Sequence, residues 1–200
     1  MEFLVTMTTH VPQGTSEETV AEMRRREAAH SRDLAERGSL RRLWRPPLKP
    51  GEWRTLGLFA AGDPTELESV LTSMPLRIWR TDEAMPLSPH PNDPALSGIG
   101  PGQEFLIAMT IAVPDETPSA AVDDTSNREA QRARELSSQG HLRRLWTLAA
   151  EQPVRRTLGL WNAHGPGEIA TILESLPLYA WMTATTTELS PHPSDPATLE

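Results

Sequence analysis

Two glutamates stand where an acid is chemically conspicuous. Glu27 falls on the apolar stripe of a predicted helix, in line with Val20, Met23 and Leu34. Glu129 repeats that placement on a second stripe with Val122 and Leu136. A carboxylate turned toward a partly apolar interior has its charged form destabilised, so its pKa rises and it can take up and return a proton near neutral pH. A solvated or salt-bridged Glu at the edge of the stripe, beside Arg26 or Arg128, accounts for the same pattern without chemistry.

The run LRRLW occurs at Leu40–Trp44 and again at Leu142–Trp146. In a regular strand Leu40, Arg42 and Trp44 share one face, and Arg41 and Leu43 the other. One arginine of each pair (Arg41 or Arg42, Arg143 or Arg144), set beside Trp44 or Trp146, makes a clamp for a carboxylate substrate, because guanidinium pairs bidentately with carboxylate. Neutralising Glu27, or stacking on the indole within the core, would occupy the same arginine. His90 and His192 each lie in an SPHP run, held extended by flanking prolines. Such a histidine can shuttle a proton or donate a hydrogen bond to substrate. Its tail can also be structural, crossing onto a neighbouring subunit and locking it.

Other chemistries find no support. There is no cysteine, which removes thiol catalysis, disulfides and thiolate metal sites. No metal-ligand cluster, P-loop, dinucleotide fingerprint or nucleophile elbow occurs. The formal net charge of -8 does not suggest a nucleic-acid partner, and no stretch approaches the roughly 20 apolar residues that span a bilayer. With no evident signal peptide, a soluble cytoplasmic protein is expected. Trp44, Trp53, Trp79, Trp146, Trp161 and Trp181 read as core and interface.

These features occur in pairs because the chain is written twice, at a spacing of about 102 residues, with about 42 of 97 aligned pairs identical. The period is too long for a solenoid, so each copy is expected to be a domain-sized unit: 1–96, then a Gly-rich linker at 97–103, then 104–200. Within the first copy, alternation predicts a strand over Glu2 to Val11. A helix follows from about Ser16, its N-cap, to Arg37, with Gly38 as its stop. Strands are expected at Leu40 to Arg45 and Trp53 to Phe59, a helix from Pro64 to about Ser73, and a strand from Leu76 to about Thr81 before a Pro-rich tail.

The order β-α-β-β-α-β is the ferredoxin-like arrangement, so the fold class is α+β, with two tandem units pairing as an intramolecular dimeric α/β-barrel pseudo-dimer.

Taken together, these residues resemble the muconolactone isomerase family. The points of contact are Met7, Thr8 and Pro12; Glu27 on the helix; Gly38 followed by Arg41, Leu43, Trp44 and Arg45; Pro75-Leu76; and His90-Pro91. The resemblance spans nearly the whole chain, one family unit per copy. It implies a cofactor-free isomerase of aromatic catabolism that moves a double bond within a butenolide bearing a carboxymethyl arm. Glu27 and Glu129 would transfer the proton; Arg41 or Arg42, Arg143 or Arg144, with Trp44, Trp146, His90 and His192, would bind substrate. It also implies a homo-oligomer, here a ring of about five tandem chains. The chain departs from the family at Trp53, Arg54 and Thr55, and at Arg155, Arg156 and Thr157, where the family carries His, Tyr and Asn. The copies themselves differ at His30 and Arg132, Trp53 and Arg155, Arg45 and Thr147, and Arg77 and Tyr179.

Two other readings are compatible with the same residues. One is a different cofactor-free enzyme on this fold, a dehalogenating lactone enzyme or a small oxygenase. The other is a ligand-binding or assembly protein without catalysis, against which the acid kept in both copies argues.

Overall fold

The computed structural model describes residues 1–96, 98–150 and 154–198. They form two compact units: residues 1–87 with 190–198, and the described residues between 88 and 189. The repeat divides near residue 100, so the tail of each copy is part of the other copy's unit. Of the predicted linker, Ser97 lies outside the described residues, and Gln103 already begins a strand.

The first unit contains β1 (Glu2–Thr9), α1 (Glu17–Glu36), β2 (Leu40–Arg45), β3 (Arg54–Ala60), α2 (Pro64–Ser73) and β4 (Arg80–Pro89), the last two residues of β4 belonging to the second unit. All pairings are antiparallel and run β4-β1-β3-β2. The second unit repeats this with β5 (Gln103–Ile111), α3 (Ser119–Ser138), β6 (Leu142–Leu148), β7 (Arg155–Ala163), α4 (Pro166–Glu174) and β8 (Met182–Pro191), paired β8-β5-β7-β6. Both units are therefore ferredoxin-like, and the chain is α+β.

Local chemistry accounts for the element boundaries. Ser16 caps α1, its Oγ accepting the Thr19 N–H at 3.2 Å, and Gly38 supplies the left-handed stop at φ 74°. Alternating side chains of β1 and β3 (Phe3, Val5, Met7, Phe59) pack on Leu34 of α1 and on Leu67 and Leu71 of α2. Phe105, Ile107, Met109 and Trp161 do the same with Leu136, Ile169 and Ile172 in the second unit. The glycine of the shared RTLG run has a steric cause: a Cβ on Gly57 would strike the Phe59 ring, and one on Gly159 the Trp161 indole.

Two expectations need correction. The strand expected over Leu76 to about Thr81 is a 3₁₀ turn at Pro75–Trp79, and β4 runs instead through the segment read as a Pro-rich tail. Its prolines lie inside a paired strand, Pro86 opposite Phe3 of β1 and Pro89 opposite Trp146 of β6. In β2, a register shift between Leu40 and Arg42 breaks the alternation. Leu40 and Leu43 both join the helix-side core, and Leu40 does not share a face with Arg42 and Trp44. The same shift occurs between Leu142 and Arg144.

Candidate active site

Each unit holds one cavity beside the acid of its long helix. In the first unit the cavity is about 490 Å³ and is lined by Glu27 from α1, Arg45 from β2, Trp53 and Arg54 at the start of β3, Arg80 from β4, and His192. In the second it is about 230 Å³, with Glu129 from α3, Thr147 from β6, Arg155 and Arg156 from β7, Met182 from β8, and His90. The histidine in each case comes from the opposite copy's tail.

The acids are held by the turn after the second helix. Glu27 Oε2 accepts the Leu76 N–H at 2.8 Å, and Glu129 Oε2 accepts the Leu178 N–H at 3.0 Å. This fits the kept Pro-Leu pair, whose leucine lies in the 3₁₀ turn Pro75–Trp79 of the first unit and just before the 3₁₀ turn Tyr179–Trp181 of the second. Burial raises both carboxyls above the ordinary glutamate range. The rise at Glu27 is opposed by the Leu76 amide, by Arg80 and by His30; at Glu129 it is opposed by the Leu178 amide and Arg155.

The remaining partners differ. Glu27 Oε1 accepts from Arg80 NH1 at 2.9 Å, and Arg80 is in turn fixed on Asp82 through Nε at 2.6 Å and NH2 at 3.0 Å. Asp82 also faces Arg77 at 3.5 Å, and Arg77 pairs with Glu68 at 2.8 Å. In the second copy the matching residues are Met182, Ala184, Tyr179 and Ala170. Glu129 Oε1 accordingly has no hydrogen bond among the described residues.

Both histidines are neutral donors by geometry and by pKa. His90 Nδ1 accepts the Asn92 N–H at 3.0 Å and His192 Nδ1 accepts the Ser194 N–H at 3.1 Å, so the neutral ring carries its proton on Nε2. Burial lowers the His90 pKa; burial and Arg45 push His192 down to about 4.

The LRRLW arginines do not line these cavities. Arg42 is 6% exposed, stacks on Trp44 with its Cζ 4.8 Å from the ring centroid, and grips Asp195 at 3.0 Å. Arg144 likewise stacks on Trp146 at 4.7 Å and pairs with Asp93 at 3.2 Å. Arg41 is exposed with its guanidinium near Gly38, Arg143 is half-buried against Gly100, and Trp44 and Trp146 are buried. Glu27 is thus brought together with His192, and Glu129 with His90, while the arginine-tryptophan pairs anchor the tails that deliver those histidines.

Three groups at these sites escaped the sequence reading. Asp93 and Asp195 were kept by both copies in the runs SPHPNDPA and SPHPSDPA, which is the signal that marks them. Arg80 was marked by the opposite signal, a charge that only one copy carries. Trp161 lines the second cavity at 2% exposure, and its Nε1 has no partner among the described residues; the first copy has Phe59 there. Among the described residues no cluster of acids and histidines could hold a metal ion, and no helix is long and apolar enough to cross a membrane.

The family model for muconolactone delta-isomerase matches the chain twice, over residues 1–93 and 103–195. A muconolactone delta-isomerase of Cupriavidus pinatubonensis (strain JMP 134 / LMG 1197) is 29% identical over 90 residues, covering 45% of this chain and 95% of that protein. Muconolactone delta-isomerase 1 of Acinetobacter lwoffii is 32% identical over 92 residues, covering 46% of this chain and 93% of that protein. Among solved structures, a chlorite dismutase variant from Candidatus Nitrospira defluvii aligns with a TM-score of 0.58 at 12% identity, over 95% of this chain and 91% of that one. That likeness shows the fold alone.

Proposed function

The chain belongs to the muconolactone delta-isomerase family, and from that premise we propose that it shifts the double bond of muconolactone, or of a related carboxymethyl butenolide, to the enol-lactone without a cofactor. The observation that carries this reading is a half-buried glutamate on a cavity wall, its carboxyl raised by burial and aligned by one backbone N–H.

The reaction needs one group able to move a proton between two carbons of the same ring face. The carboxylate takes the proton from the γ carbon, and the electrons of that C–H bond flow through the ring onto the lactone carbonyl oxygen. The resulting dienolate collapses as the same carboxyl returns a proton to the α carbon, so atoms and charge balance. Donors must meet the oxyanion between the two steps. The Nε2–H of His90 or His192 suits that role, as does the Trp161 indole N–H in the second unit. Arg155 in the second unit and Arg45 in the first are suited to the substrate carboxylate. Arg42 and Arg144, stacked on Trp44 and Trp146, then serve the site from outside, by holding the tails through Asp195 and Asp93, whereas Arg41 and Arg143 have no such part. An assembly of about five chains is the ring analogous to that of the family.

The test is to mix purified protein with (+)-muconolactone and follow enol-lactone formation by NMR in deuterated water. Conversion is expected, with the γ proton carried to the α carbon in competition with exchange for solvent deuterium. Glu27→Gln combined with Glu129→Gln should abolish it while leaving the circular dichroism spectrum unchanged; full activity in that double variant would overturn the assignment.

A further inference from the structure

The copies differ most sharply in how they hold their acids. In the first unit both oxygens of Glu27 are engaged, one by Leu76 and one by Arg80. To accept a proton there, Glu27 must give up its pairing with a guanidinium whose side chain is 2% exposed, and stripping one partner from a buried ion pair is strongly unfavourable. Arg80 has little to offer substrate in exchange: its Nε, NH1 and NH2 already donate to Asp82, Glu27 and Met74 Sδ. In the second unit Met182 and Ala184 replace Arg80 and Asp82, and Glu129 keeps one oxygen without a hydrogen bond among the described residues. Arg155 acts on Glu129 through space, with no hydrogen bond between them.

We propose that the two cavities have divided their labour: Arg80, braced by Asp82, ties up Glu27 and makes the first cavity a site that binds the carboxylated lactone but turns it over far more slowly than the Glu129 cavity of the second unit. Arg80 is in this sense a positioning residue that acts through Glu27. The larger first cavity, lined by Arg45 and Arg54, suits retention of an anionic ligand. The inference rests on the proton-transfer reading above and is tested so that the two can fail separately.

Steady-state kinetics on the full chain with (+)-muconolactone should show Glu129→Gln lowering kcat at least about tenfold, and Glu27→Gln lowering it less than about twofold. In the Glu129→Gln background, Arg80→Met with Asp82→Ala installs the second copy's residues. It should raise kcat about tenfold with KM little changed, and move the acid limb of the pH profile upward. If that variant does not fold, the reverse exchange decides: Met182→Arg with Ala184→Asp in the Glu27→Gln background should lower kcat by a similar factor. Titration calorimetry of the Glu27→Gln, Glu129→Gln chain with muconolactone should count two ligands per chain. Equal losses from the two single glutamine variants, exchanges that leave kcat unmoved, or one ligand per chain would each overturn the division. Full activity of the double glutamine variant would instead overturn proton transfer by these acids.

Discussion

Asp195, fully buried, accepts the Arg42 guanidinium through Nε at 3.1 Å and NH2 at 3.0 Å, and takes the Leu43 N–H at 3.0 Å as well. Asp93 makes the same three contacts with Arg144 and Leu145 in the second unit. Each pair fastens a tail whose histidine lines the cavity. The fastening continues along the backbone, where the His192 N–H donates to the Leu43 carbonyl at 3.2 Å.

Removing one member of such a buried pair leaves an uncompensated charge. Asp195→Ala should therefore destabilise by roughly 3–5 kcal/mol, a fall in Tm of roughly 6–20 °C for a chain of this size. Arg42→Met with Asp195→Leu, which removes both charges, should lose much less. Scanning calorimetry on the three variants checks this, and a double variant as unstable as the single one would show that the packing of the tail, not the charge pair, is what matters.

Gly159 lies under the Trp161 indole with no room for a methyl group. Gly159→Ala should destabilise by about 1–3 kcal/mol through overpacking, whereas Gly159→Ala with Trp161→Leu should recover part of that loss. Urea unfolding with an unchanged m-value is the measurement that checks it.

Much of this architecture was legible from residue patterns, and the misses have physical causes. The N-cap Ser16 and stop Gly38 bracket α1 because both act locally, through a hydroxyl and a left-handed backbone. β4 was placed too early because Leu76 to Trp79 is apolar enough to read as a strand, while the 3₁₀ turn there is set by a distant partner, Glu27. Arg42 and Trp44 share a face as the alternation implies, but Leu40 was put there with them because a bulge has no composition signature in LRRLW. The acids were found by their stripe and the histidines by their repeat. What those acids pair with was not legible, since Arg80 lies 53 residues from Glu27.

The raised carboxyl of Glu129 makes a stability prediction with a definite sign. A folded-state pKa above the unfolded value favours the protonated form, so the contribution is fully present below the unfolded pKa of about 4.3 and is lost as pH rises through the folded value. Glu129→Gln keeps an oxygen for the Leu178 amide and removes the buried charge. It should be more stable than the parent at pH 7, with the gap closing as pH falls toward 4; thermal unfolding across that range reads it directly.

His192 works in the opposite sense. Its folded pKa of about 4 lies below the unfolded value of about 6.5, so the neutral ring contributes stability above pH 6.5 that is lost as pH falls toward 4. His192→Gln should flatten the acid limb of the stability curve in that window. Titration of the His192 ring followed by NMR should give a midpoint well below the ordinary histidine value of about 6.5.

Trp161 offers the sharpest separation of stability from function. Its indole N–H is buried without a partner, which disfavours the folded state by about 1–3 kcal/mol relative to a satisfied donor. Trp161→Phe, the residue the first copy has at Phe59, removes that donor and keeps a ring over Gly159. Stability should hold or rise. If the N–H meets the lactone oxyanion, kcat in the Glu27→Gln background should fall by about tenfold or more while KM changes little, because the bond is made fully only as charge develops. Unchanged kcat with unchanged Tm would assign the indole to packing alone and leave His90 as the donor to examine.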